Sequence, residues 1–133
     1  RLTAGIAVRP NGTVYVADQN NHRIQYFTSS GSFLGKWRSA AHGLAFRSNG
    51  EVYGVITHGY PVPRVEFYTA TGSFLGSFSG KRHEHFFMPV GIGIPATGAR
   101  VYVGDTYNNR IQYFNRMPAV APASLGRVKA LFR

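Results

Sequence analysis

The chain has no cysteine, and its 133 residues include only five acids against fifteen lysines and arginines, for a net charge of +10. Without cysteine there is no disulfide, no thiolate metal site and no cysteine nucleophile, and the redox compartment stays open. No apolar run approaches the roughly 18–20 residues a membrane-crossing helix requires. Neither a secretory leader nor an initiator Met stands at Arg1, so the expectation is a processed product or a piece of something longer. A nucleophile–base constellation and a phosphate-cradling glycine loop are also missing.

What is present suits one domain, since typical domains run to about 100–150 residues. Apolar residues make up 44% and aromatics 14%, enough for a packed core, and the sixteen glycines and seven prolines are spread as turn punctuation. Twelve of the fifteen cations are arginine, the side chain suited to bidentate contacts with phosphate or carboxylate. A field of this sign favours acidic partners.

The chain repeats itself. Residues 14–27, VYVADQNNHRIQYF, agree at ten of fourteen positions with 101–114, VYVGDTYNNRIQYF. Gly5-Ile6-Ala7-Val8 is echoed by Gly43-Leu44-Ala45-Phe46 and by Gly91-Ile92-Gly93-Ile94. Each is followed by a turn containing Gly12, Gly50 or Gly98, then by a β-rich run at Thr13–Ala17, Glu51–Val55 or Arg100–Gly104. A third segment begins at Arg23, Arg64 or Arg110, and a fourth at Gly31 or Gly72, with Ser124–Val128 as its degraded last copy. Units with four short β segments, spaced by 38 and then 48 residues, carry the signature of propeller blades.

The stretch GIAVRPNGTVYVADQNNHRIQYFTSSGSFLGKW resembles the NHL repeat, and the likeness runs from Gly5 to about Phe114, more weakly to Val128. The second unit departs from it: Ile56 stands where Asp18 and Asp105 stand, and Thr57–Pro63 carries three extra residues. The resemblance implies an all-β chain, a propeller of three four-stranded blades at about 2–38, 40–79 and 88–132. That is half of a six-bladed ring, to be completed by dimerisation or by a longer chain. It also favours an extracytoplasmic location and a non-catalytic scaffold that binds a protein or ligand within a larger assembly.

Asp18 and Arg23, like Asp105 and Arg110, lie five apart where the second strand ends and the third begins. The expected roles are structural: an Asx-type cap from the aspartate, and an arginine, Arg64 included, tying loops together. Tyr26, Phe27, Tyr113 and Phe114 read as packing between sheets, although stacked aromatics also serve nucleic acids. His83 and His85 flank Glu84, but no four-ligand set accompanies them, so no metal and no cofactor is expected.

Family likeness places a binding face on the loops between strands two and three and on the crossings between blades. On this chain that face carries Arg38, His42, His58, Tyr60, Lys81, Arg82, His83 and Tyr107. Cations beside aromatics also fit single-stranded RNA, the second reading; a metal-dependent lyase is the third. Arg9, Arg47 and Arg100 fall on the opposite face, which spreads the charge and favours a generally acidic partner over an RNA.

Overall fold

The hairpins follow from the turns. Asn11 accepts the Thr13 amide on its side-chain oxygen at 3.0 Å, and Asn49 accepts that of Glu51 at the same distance. Gly12 and Gly50 then take φ of 92° and 97°, which side chains resist. Each donates its amide to the arginine that opens the turn, Arg9 or Arg47.

A computed structural model describes residues 5–58, 62–80, 85–96, 98–115 and 128–131, the last as backbone only. The first sheet holds β1 (Gly5–Val8), β2 (Val14–Asp18), β3 (Arg23–Phe27) and β4 (Phe33–Arg38). The second holds β5 (Gly43–Phe46), β6 (Val52–Ile56), β7 (Arg64–Tyr68) and β8 (Phe74–Phe78). The third holds β9 (Pro89–Gly93), β10 (Arg100–Asp105), β11 (Arg110–Asn115) and β12 (Val128–Leu131). Every sheet is an antiparallel meander in chain order. Of the Ser124–Val128 copy expected from the repeat, Val128 belongs to the last strand, and residues 124–127 lie outside the described residues.

The first strands of successive sheets, β1 with β5 and β5 with β9, run beside one another and form the inner edge of the row. Their approach is close enough to demand glycine. A Cβ on Gly5 would collide with the His42 carbonyl oxygen, and one on Gly43 would fall 2.7 Å from that of Val90.

Two apolar layers hold the row. Between the first and second sheets, Tyr15, Ala17 and Ile24 meet Leu44, Val52, Ile56 and Tyr68. Between the second and third, Tyr53, Val55, Val65 and Phe67 meet Val101, Val103, Phe114 and Phe86. Strand alternation sends each sheet's odd and even residues to opposite neighbours. Complete burial of side chains such as Ile24, Val65 or Val103 stabilises by roughly 1.5–3 kcal/mol each. Stacked rings recur in register, Tyr15 on Tyr26 at 5.1 Å and Tyr53 on Phe67 at 4.9 Å. Ile24, Tyr26 and Phe114 therefore serve packing between sheets.

Candidate functional site

The loops that leave β2 and β10 are single 3-10 turns, Gln19–Asn21 and Thr106–Asn108, closed by His22 and Asn109 in the left-handed region. The turns carry the crossing segments on backbone bonds. Ser39 donates its amide to the His22 carbonyl at 2.9 Å, His42 to that of Val55 at 2.8 Å, and Tyr107 to that of Phe87 at 3.1 Å. The Thr57 hydroxyl donates to the Pro89 carbonyl at 2.7 Å in a buried position. The described parts of the loops and crossings are thus tied together by hydrogen bonds.

On these loops and crossings the structure brings His42 and His58 together, rings edge to face with centroids 5.8 Å apart. His58 is exposed and His42 half-buried. The buried Nδ1 of His42 has no hydrogen-bond partner among the described residues. Desolvation holds the His42 imidazole below its ordinary pKa, and the neighbouring charge of His58 adds to the shift. Tyr107 instead packs against Phe87, centroids 5.1 Å apart, with the two rings 61% and 55% exposed. Arg38 is exposed at the end of β4 and lines a shallow groove with Asn21, His22, Arg23, Lys36 and Trp37. Tyr60, Lys81, Arg82 and His83 lie outside the described residues.

The repeated aspartates bind side chains. Asp18 accepts Asn21 and the Arg23 Nε, both at 2.9 Å, and makes no side-chain cap to the turn backbone, in place of the Asx-type cap. Arg23 lies directly opposite it in the strand register. Those two bonds, Asn21 first, hold the Asp18 carboxyl below the usual range. Asp105, fully buried, accepts Asn108 at 2.9 Å, Arg110 at 2.8 Å and Gln112 at 3.1 Å. Its other oxygen takes the Phe87 amide at 2.6 Å. With Arg110 and Asn108 also donating to the His85 carbonyl, this carboxylate locks the crossing that carries Phe87.

In the second sheet Arg64 pairs with Glu66 at 2.7 Å. Glu66 also accepts the Tyr68 hydroxyl at 2.5 Å, and burial followed by that bond pushes the phenol well above its usual pKa. The opposite-face arginines are engaged locally: Arg47 with Glu51 at 3.1 Å, Arg9 over the Phe46 ring at 5.9 Å and Arg100 over Tyr113 at 4.2 Å.

Phe87, the partner of Tyr107, is the face residue that sequence reasoning missed. Phe86-Phe87 in a crossing signals one ring turned inward and one outward, and only the packing of Phe86 against Phe114 decides which.

No curated protein sequence matches the chain. Its fold is similar to that of a streptogramin B lyase, with a TM-score of 0.68 at 14% identity over 96% of this chain and 39% of that one. It is also similar to a Bacteroides fragilis protein named as a 6-phosphogluconolactonase, with a TM-score of 0.69 at 15% identity over 95% of this chain and 36% of that one. The chain thus spans less than half the length of either structure. The NHL-repeat family model matches residues 4–27. With three four-stranded sheets in an open row, the chain has a β-propeller fold and carries an NHL repeat at its first sheet, consistent with an NHL-repeat family.

Proposed function

We propose that the chain is a non-catalytic binding scaffold, and that the face built by its crossings and 3-10 turns takes a protein or peptide ligand. The observation that carries this reading is the Phe87–Tyr107 pair. Two large rings stand more than half exposed on backbone fixed by the Phe87 amide bond to buried Asp105. Exposed aromatics held rigidly make binding anchors at low entropic cost. The opposite-face arginines Arg9, Arg47 and Arg100 are occupied by local contacts, whereas Arg38 makes no ion pair among the described residues. Acidic peptides with aromatic or aliphatic anchors fit this surface.

The test is a titration of the labelled protein with such peptides, followed by amide chemical shifts. Saturable shifts at Phe87, Tyr107 and His58, abolished by Phe87→Ser with Tyr107→Ser, support the reading. No saturable binding overturns it, as does turnover of streptogramin B or 6-phosphogluconolactone, the compounds in the names of the two similar structures. At 14 and 15% identity those names bear on the fold alone.

A second reading has its own observation: the groove at the edge of the first sheet presents Arg23, Lys36, Arg38 and His22. If it holds single-stranded RNA, affinity falls steeply with salt, and Arg38→Ala lowers the salt slope by about one. Binding that ignores Arg38→Ala removes this reading.

A further inference from the structure

We propose that the uncovered faces at the two ends of the row pair with each other between two copies of this chain, closing a ring of six sheets about a two-fold axis. The inference concerns assembly and stands apart from the ligand reading above.

The repeat supplies an internal control, because each column of residues is seen both covered and uncovered. Ile24 faces the second sheet and is fully buried; its counterpart Ile111 faces outward from the third sheet and is 50% exposed. Leu44 faces the first sheet and is 9% exposed; its counterpart Ile6 faces outward from the first sheet and is 66% exposed. The Tyr102–Tyr113 pair repeats the Tyr15–Tyr26 pair, but Tyr102 is only partly buried where Tyr15 is fully buried, and Arg100 lies over the Tyr113 ring. The outer face of the third sheet is thus the type that Leu44 and its neighbours cover within the chain. The outer face of the first sheet is the type that does the covering.

The inner edge gives an independent measure. The first-strand glycine of each covered sheet abuts the next strand's carbonyl, Gly5 at His42 and Gly43 at Val90, while a Cβ on Gly91 would meet nothing within 4 Å. The third sheet carries the glycine that a following strand requires, and no strand among the described residues occupies the place.

Matched but unlike faces make a heterologous contact, and such contacts close when the rotation permits. Each copy has one face of each kind, so two copies satisfy all four. Apolar faces of this kind are rare on isolated subunits. A second copy is the occupant because its faces are the same columns already mated twice within the chain.

The experiment is the solution mass of the 14.6 kDa chain by light scattering at low and high salt, with variants Gly91→Val and Ile111→Glu and the control Tyr107→Ser. Expected are twice the chain mass for the wild type and the control, more fully so at high salt, where repulsion between copies is screened. Gly91→Val and Ile111→Glu should run at the mass of one chain with an unchanged strand signal in circular dichroism. Both sites are open in the single chain, so neither change should prevent folding. A wild type at the mass of one chain, as expected if further sheets of a longer polypeptide cover these faces, overturns the proposal. A ladder of larger species, or a Gly91→Val variant that keeps twice the mass, overturns it equally.

Discussion

Arg64 is held by Glu66 at 2.7 Å, two residues along its own strand, whereas Arg23 and Arg110 reach aspartates on the adjoining strand. The second sheet has Ile56 at the aspartate position, buried against Tyr15, Ala17 and Tyr68. The carboxylate has moved to position 66, where the other two sheets have Gln25 and Gln112. Apolar packing and a partner for the arginine are both kept.

Glu66→Ala removes an acceptor used by Arg64 and by the buried Tyr68 hydroxyl. The expected loss is about 1–3 kcal/mol, the penalty for stranding a buried donor, read from the urea midpoint.

The two repeated aspartates should respond differently to the same change. Asp105 is fully buried and accepts four donors, so Asp105→Asn should cost about 3 kcal/mol and release the crossing at Phe87. Asp18 keeps side-chain exposure of 23%, and Asp18→Asn should lower the melting temperature by much less. Amide exchange at Phe87 checks the first result and thermal denaturation the second.

At the inner edge, Gly43→Ala places a methyl 2.7 Å from the Val90 carbonyl oxygen. Backbone on both sides leaves little room to yield, so an overpacking cost of about 1–3 kcal/mol follows. Equal stability of Gly43→Ala and wild type in chemical denaturation would show that the strands are farther apart than described.

Acid should loosen the crossing-loop face in two stages. The folded-state pKa of His42 lies below its ordinary value of 6.5, so its neutral form is the one the fold favours. Its contribution is complete above about pH 6.5 and is lost as pH falls through the lower folded value. Asp18, lowered from 3.8, contributes above its ordinary value and loses that contribution only at still lower pH. His42→Gln should remove the first stage of the stability–pH curve and leave the second.

The strand order, the turns and the sheet-to-sheet layers were legible because Gly12, Gly50 and the Tyr15 and Tyr53 positions recur in register. The relocated carboxylate was half legible. Ile56 marks the loss, and the one acid in the Gln25–Glu66–Gln112 column marks the gain, but only the side-chain geometry joins them. The His42–His58 contact was not legible, since it joins a crossing to a loop of the same unit through backbone placement alone. Phe87 escaped for a similar reason: direction along an irregular segment has no period to read.

The inner-edge glycines and the ring pairs between sheets have a joint consequence for curvature. Strands at Gly5 and Gly43 stand as near to the next strand as bare backbone allows. Farther out, the spacing is filled by Trp37 against Tyr68 and by Phe78 against Phe114. Each layer is therefore a wedge, thin at the hub and thick at the periphery, and stacking wedges bends the row into an arc. The bulk at the repeat glycine and at the outer rings together set the angle between sheets. Enlarging the hub residue or trimming the peripheral rings would open the arc, so the same unit can be retuned to circles of different circumference by changes at a few residues per repeat.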